Sequence, residues 1–262
     1  MIEGGPKISA TILGSGTCVP SLKRSSCSIL VEAGTEKILL DIGPGTMRRL
    51  LEAQTTIFEI SHLFISHFHP DHSSELVPFL FATKYPDAAQ RRFPLRIVSG
   101  KGVSAFYGKL KNAFGAWVEL APGLLEIIEL NNAGRARHVT PEFTLETIPV
   151  MHNPESLACR ITIPSGNSIV YSGDTDYNEN LIALAKDTDL FICESAFPDD
   201  LKTNGHLTPS LAGKIATFSN VKKLVLTHLY PECDMTDIEN ECRKTYNGPL
   251  ILAYDLLKIE IT

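Results

Sequence analysis

Six consecutive residues, His67-Phe68-His69-Pro70-Asp71-His72, bring three imidazoles and one carboxylate together. Histidine is the commonest metal ligand, and aspartate adds an oxygen donor that can serve a second ion. The run follows a short apolar stretch, His62-Leu63-Phe64-Ile65-Ser66, and precedes a helical pattern. At an extended strand end side chains repeat every two residues, so His67 and His69 point the same way. Asp71 and His72 open the helix, where the turn swings them toward the same point. Three further ligand-type residues end apolar strands: His152 after Ile148-Pro149-Val150, Asp174 after Ile169-Val170-Tyr171-Ser172-Gly173, and His228 after Leu224-Val225-Leu226-Thr227. Strand ends and their loops are where α/β folds assemble sites. One such histidine would be an ordinary structural residue. Three such ends together with the cluster point to a shared metal site. His62 and His138 fit no such pattern and read as structural.

The elements that must position these residues alternate along the chain. Apolar and β-branched runs predict strands over 7–13, 27–32, 37–41, 62–66, 95–99, 124–130, 142–150, 157–163, 168–172, 190–194, 222–227, 250–252 and 256–261. Helical spacing predicts helices over 44–51, 71–84, 101–114, 178–186, 208–218 and 236–246, with Thr208 and Thr236 as N-caps. Gly166-Asn167 makes a hairpin turn. Each half of the chain starts with several strands and finishes with strands alternating with helices. Two packed sheets with helices outside satisfy that order.

The chain has 262 residues, 44% hydrophobic and 21% charged. That size allows one large domain or two small ones, and that composition argues against disorder as the main state. No apolar run approaches the roughly 20 residues of a membrane helix. The first residues lack a basic region followed by an apolar stretch, so a cytoplasmic protein is expected. None of the six cysteines forms a C-x-x-C pair, which predicts free thiols. Lys plus Arg is 24 against 30 for Asp plus Glu, a net charge of -6 that argues against a general nucleic-acid coat protein. Locally the balance reverses: between Lys84 and Lys111, seven basic residues stand against Asp87 alone. Such a stretch is either a footprint for a polyanion or a solvated outer face.

The chemistry-bearing residues resemble the metallo-β-lactamase superfamily of dinuclear metallohydrolases. The signature of that superfamily is H-x-H-x-D-H, then a lone His, a lone Asp and a lone His at strand ends, met here by His67, His69, Asp71, His72, His152, Asp174 and His228. The resemblance spans nearly the whole chain. It implies an α/β fold, a four-layer αββα sandwich forming a single domain over 1–262, with the site at one edge of the two sheets. It implies one zinc held by His67, His69 and His152, another held by Asp71, His72 and His228, and Asp174 bridging the two. Manganese or iron could replace zinc at such donors. Asp41, before Gly43-Pro44-Gly45, matches the carboxylate that orients a ligand histidine from behind. Redox members of the superfamily carry Glu where His69 stands, so hydrolysis is expected.

A closer resemblance is to the ribonuclease Z branch. It rests on Leu13-Gly14-Ser15-Gly16-Thr17-Cys18-Val19-Pro20, Asp41-Ile42-Gly43-Pro44-Gly45-Thr46 and Tyr171-Ser172-Gly173-Asp174-Thr175. Cys193-Glu194-Ser195-Ala196-Phe197 resembles the H-E-A-T-F element of that branch, with Cys193 in place of its leading His, and His206-Leu207-Thr208 resembles its H-x-T element. Three features depart from it, the acidic net charge of -6 among them. Only 22 positions separate His152 from Asp174, which leaves no room for a tRNA-gripping arm, and Pro20-Ser21-Leu22-Lys23-Arg24-Ser25 is an imperfect P-x-K-x-R-N loop. The resemblance therefore implies an arm-less phosphodiesterase acting on an RNA end or a small cyclic or linear phosphodiester, and a homodimer, as its relatives often are. A metal-bridging hydroxide would attack phosphorus in line. Asp71 would orient or deprotonate it, and His206 would protonate the departing alkoxide. Glu194 would support the phosphate and leaving oxygen, directly or through His206. The alternative is an acyl hydrolase acting on a lactone, thioester or β-lactam, since the same nucleophile attacks carbonyls. A non-enzymatic module on a relic fold is a third reading, against which the complete ligand set argues.

Overall fold

The computed structural model describes residues 7–85 and 91–261. The first sheet opens with β1 (Ile8–Gly14), β2 (Ser28–Ala33) and β3 (Glu36–Leu40). It continues with β4 (His62–Ile65), β5 (Leu95–Gly100) and β6 (Leu125–Leu130). The second sheet takes β7 (Ala136–Val139), β8 (Thr144–Pro149), β9 (Leu157–Thr162) and β10 (Ser168–Tyr171). β11 (Leu190–Glu194), β12 (Leu224–Thr227) and β13 (Leu250–Leu252) complete it, while β14 (Leu257–Ile261) returns to the first sheet beside β1. Each sheet is an antiparallel meander that becomes parallel: β3 with β4 in the first, β10 with β11 in the second. This is the two-half order expected from the sequence.

Period-two alternation explains the layers. In β1, Ile8, Ala10 and Ile12 face the second sheet, where they meet Cys159, Ile161, Ile169 and Tyr171 in one apolar core. Leu39, Leu63 and Ile65 face outward instead and are covered by α1 (Thr46–Glu52), α3 (Leu76–Ala82) and α4 (Val103–Phe114). On the other side Val170, Phe191 and Leu226 are covered by α5 (Glu179–Ala185), α6 (Pro209–Phe218) and α7 (Ile238–Arg243). The architecture is the αββα sandwich of the metallo-β-lactamase type. No helix of the described residues is long and apolar enough to cross a membrane.

Several local expectations need correction. The helix predicted over 71–84 is two helices, α2 (Pro70–Ser73) and α3. Pro78 has no N–H to give the carbonyl of Ser74, four residues back, so the helix breaks there. Glu75 sits at the break, its N–H donating to Ile42 and its carboxylate accepting from Met47 N–H at the start of α1. Thr208 stands at the N-cap of α6 without a side-chain capping bond; Pro209 at the first helical position lacks one of the N–H groups a cap would serve. The cap of α7 is Asp237 rather than Thr236, its carboxylate accepting from Asn240 N–H. Strand β7 has no expectation behind it. It is an edge strand whose outward arginine Arg137, together with Arg135, binds Glu146 of β8, so it lacks an apolar run.

The basic stretch is largely committed to the fold. Arg91 is 4% exposed and donates to the carbonyls of Ile57 and Ile60, so it anchors the chain end entering β5. Arg96 pairs with Glu126, Lys111 with Glu119, and Lys84 donates to the carbonyl of Ala116. Arg92, Lys101 and Lys109 remain as exposed cations, and Asp87 lies outside the described residues.

Candidate metal centre

The strands that carry the candidate ligands end at one edge of the sandwich. β4 delivers His67 and His69, β8 delivers His152, β10 delivers Asp174 and β12 delivers His228. Two glycines allow the loops to close on each other. A Cβ on Gly43 would lie 2.1 Å from the carbonyl oxygen of Asp71, so only glycine lets the loop after Asp41 touch α2. Gly173, at φ +56°, would put a Cβ 2.9 Å from Cβ of Ser66, so only glycine brings β10 against the end of β4. Asp41 and His228 themselves adopt left-handed backbone, at φ 59° and 56°. Such a conformation is uncommon for residues with a Cβ and typical of functional loops.

Asp174 organises the centre. Its Oδ2 lies 3.7 Å from His67 Nε2 and 3.8 Å from His152 Nε2. Its Oδ1 lies 3.3 Å from His72 Nε2 and 3.5 Å from His228 Nε2. His69 joins the first group, with its Nδ1 3.2 Å from His152 Nε2. Asp71 joins the second, with Oδ2 3.6 Å from His228 Nε2 and 3.8 Å from His72 Nε2. All seven residues of the H-x-H-x-D-H signature and its three strand-end partners are thus brought together in two groups that meet at one carboxylate.

The donor atoms fit a cation. His67 Nε2 and Asp174 Oδ1 are buried yet have no hydrogen-bond partner among the described residues. A buried polar atom left in that state costs about 1–3 kcal/mol. Burial, then the nearby His72, pushes the His67 imidazole well below its ordinary pKa, so it is the neutral form a ligand requires. Burial raises Asp174, but His228 and His72 outweigh it and hold the carboxyl well below the usual range.

Behind the candidate ligands, Asp41 is fully buried and accepts four hydrogen bonds. Ser66 donates from its N–H at 2.7 Å and its hydroxyl at 2.8 Å, Tyr171 from its hydroxyl at 2.7 Å, and His72 from Nδ1 at 2.8 Å. Burial and the Asp41 charge raise the Tyr171 phenol well above its ordinary pKa, so it stays a donor. Neither Ser66 nor Tyr171 is legible in the sequence as a partner of Asp41: one ends an apolar strand, and the other opens the motif over 171–175.

His206 and Glu194 stand at the rim. Glu194 accepts four donors: Thr175 N–H at 2.7 Å, His206 Nδ1 at 3.1 Å, and the N–H groups of Ala196 and Leu207, each at 3.2 Å. Its oxygens are occupied by the protein, and of these partners His206 is the one that faces the centre, with Nδ1 4.0 Å from Asp174 Oδ2. Burial lowers the His206 pKa, but the hydrogen bond and charge of Glu194, aided by Asp174, push it up to about 9. His206 also stands near enough to Asp174 and His228 to join them as a donor. Phe197 and Tyr230 stack at 4.3 Å beside it, with Tyr230 5.9 Å from His228. His62 and His138 pack on each other 5.3 Å apart and on Phe143, between the sheets, outside both donor groups.

The fold and this centre define a class, the metal-dependent hydrolases of the metallo-β-lactamase superfamily, in a ribonuclease Z-like form. The chain is similar to the metallo-β-lactamase fold protein YhfI of Bacillus subtilis, with a TM-score of 0.83 at 22% identity, covering 97% of this chain and 100% of that one. It is 28% identical to the ribonuclease Z of Methanosarcina mazei, covering 95% of this chain and 96% of the relative. An uncharacterized protein of Mycobacterium leprae is 32% identical, covering 92% of this chain and 84% of the relative. Residues 8–211 match the family described as Anti-Pycsar protein Apyc1, and the chain belongs to that family.

Proposed function

We propose that this protein is a phosphodiesterase whose residues 1–262 act as one domain around two divalent ions, zinc in the first instance and manganese or iron as substitutes. His67, His69 and His152 would hold one ion, Asp71, His72 and His228 the other, with Asp174 shared. The observation that carries this reading is the division of labour within Asp174, whose two oxygens face two different groups of imidazoles. Ions bound there would supply a hydroxide nucleophile at neutral pH and a positive field for the phosphoryl oxygens. The chain's own groups do the rest. Asp71 is held as a carboxylate down to about pH 2: burial opposes this, and His228 and His72 outweigh it. It is therefore an anion throughout the neutral range and can orient an attacking water. His206, with Nδ1 on Glu194, keeps Nε2–H free to protonate a departing alkoxide.

Two observations favour a small phosphodiester over an extended RNA surface. Most of the basic stretch is engaged within the fold, and the chain between His152 and Asp174 is filled by β9, β10 and their turns. Similarity to a ribonuclease Z keeps an RNA end as the other candidate phosphodiester. Steady-state hydrolysis of bis(p-nitrophenyl) phosphate, a thioester and a lactone by zinc- and manganese-loaded protein decides the bond class. Phosphodiester turnover that disappears in Asp71→Ala is expected. Acyl turnover without phosphodiester turnover would sink this reading and leave the acyl hydrolase. We further propose that the chain shares the anti-Pycsar role its family is named for, exercised through that hydrolysis; Asp71→Ala should then lose it.

Six thiols are free, five of them buried, which suits a reducing compartment, and we place the protein in the cytoplasm. Fractionation of cells that produce it, with the protein recovered alongside membranes or outside the cell, would contradict that placement. We also propose a homodimer. Its face would be the apolar hollow of Val77, Pro78 and Phe81 on α3 with Phe114 at the end of α4 and Trp117 beyond it, where Trp117 is 58% exposed. Sedimentation should give a dimer that Trp117→Asp converts to monomer; a monomeric wild type excludes it.

A further inference from the structure

We propose that Asn153 is a positioning residue that fixes the ring orientation and tautomer of His69, and thereby the metal affinity of the group His67, His69, His152 and Asp174. The inference rests on the reading of that group as a metal site.

Three of the candidate ligand rings turn Nε2 toward the centre and rest Nδ1 on the protein. His67 Nδ1 lies 3.0 Å from the Ser66 hydroxyl, His72 Nδ1 lies 2.8 Å from Asp41, and His152 Nδ1 lies 2.9 Å from the carbonyl of Gly205. His69 is reversed. Its Nδ1 faces the centre and its Nε2 faces out, 3.0 Å from Nδ2 of Asn153. His69 is also exposed, whereas His67 and His72 are fully buried, so packing does less to hold its ring.

The tautomer follows from ligation. The nitrogen that binds a metal must carry no proton, so a neutral His69 binding through Nδ1 carries its proton on Nε2. An acceptor on the protein fixes that N–H, and with it the ring, where solvent would not. The Asn153 amide supplies one by a half-turn about its last torsion, which exchanges Nδ2 for Oδ1 at the same place. With Nδ2 facing the ring, the amide donates and favours the tautomer with its proton on Nδ1, which cannot ligate. Amide orientation and metal occupancy are therefore coupled.

The amide is carried by a braced turn. Asn153 N–H donates to the Ser156 hydroxyl at 3.0 Å, Ser156 N–H returns to the Asn153 carbonyl at 3.0 Å, and Val150 N–H donates to the carbonyl of Ser156 at 3.1 Å. Asn132 ties the next residue down, donating to the carbonyl of Pro154 at 3.1 Å while accepting Lys101 N–H at 2.8 Å. A side chain on such a support holds its partner to a definite geometry.

Zinc affinity of the full chain, measured by competition with a chromophoric chelator, tests this together with thermal unfolding of the metal-free protein. Asn153→Ala should weaken one zinc by about 10–100-fold, the range for partners behind metal-bound histidines, with the metal-free melting temperature unchanged. Asn153→Asp should bind as tightly as the wild type or more so, because a carboxylate only accepts. Wild-type affinity in Asn153→Ala, equal weakening in both variants, or a lowered metal-free melting temperature in Asn153→Ala would each overturn the inference and leave the metal site standing. A wild type that binds no zinc would remove the site itself.

Discussion

Replacing Asp174 by alanine is expected to remove metal from both groups and to lower phosphodiester turnover at least about 10³-fold. The two oxygens face His67 and His152 on one side and His72 and His228 on the other. Among the described residues, Asp71 reaches only His72 and His228, so nothing else supplies a negative charge to both groups. A Lewis-acid centre is worth several kcal/mol of transition-state stabilisation, and each 1.4 kcal/mol or so is a factor of ten in rate. Two measurements accompany the rate. Elemental analysis should find two metal ions per chain in the wild type and fewer than one in Asp174→Ala. Added zinc should raise the melting temperature of the wild type by mass action and leave the variant unmoved. Asp71→Ala makes the contrast, because it touches one group only and should keep about one ion. An Asp174→Ala protein with full metal content and a tenth of the wild-type rate would show that this carboxylate is not shared.

The residues brought together at the sheet edge are legible in the sequence because their types are scarce and their positions are marked by strand ends. Asp71 or His228 alone would say little; their spacing relative to apolar runs says much. The layers are legible for a related reason, since Ile8, Ala10 and Ile12 alternate with Ser9 and Thr11 wherever one face must be buried. What stays hidden depends on contacts between distant segments. Tyr171 is one apolar-strand tyrosine until the fold sets its hydroxyl on Asp41, 130 positions away. Asn153 is a loop residue until β4 brings His69 beside it. Arg91 belongs to a run of positive charge, and only its contact with the turn before β4 shows that its guanidinium is engaged by the carbonyls of Ile57 and Ile60. Local rules also compete: the apolar spacing over 71–84 is helical throughout, and one missing N–H at Pro78 divides it.

His206→Ala should lower kcat by about 10²–10⁴-fold, the span for a positioned general acid, with the larger loss on substrates whose leaving alkoxide is most basic. The geometry gives the reason. Glu194 holds Nδ1 at 3.1 Å, so the imidazolium proton on Nε2 is the mobile one. Burial opposes the charged ring, but Glu194 and then Asp174 raise its pKa to about 9, so it is protonated at neutral pH. A wild-type rate profile should therefore fall on its basic side. Cations bound beside the ring pull its pKa down, which places that limb at or below about pH 9. In His206→Ala the limb should vanish, and a p-nitrophenolate leaving group, which needs little protonation, should suffer least. Stability follows the same sign. A histidine raised above its unfolded value of 6.5 stabilises the fold fully below that pH, and this contribution is lost as pH rises through about 9. Metal-free His206→Ala should therefore lose most stability against the wild type near pH 6 and least above pH 9. Because His206 also stands within reach of Asp174 and His228, the variant separates two roles. Unchanged metal content with a lost basic limb identifies the acid. Lost metal with the limb intact identifies a ligand instead, and would return the search for the proton donor to the rim.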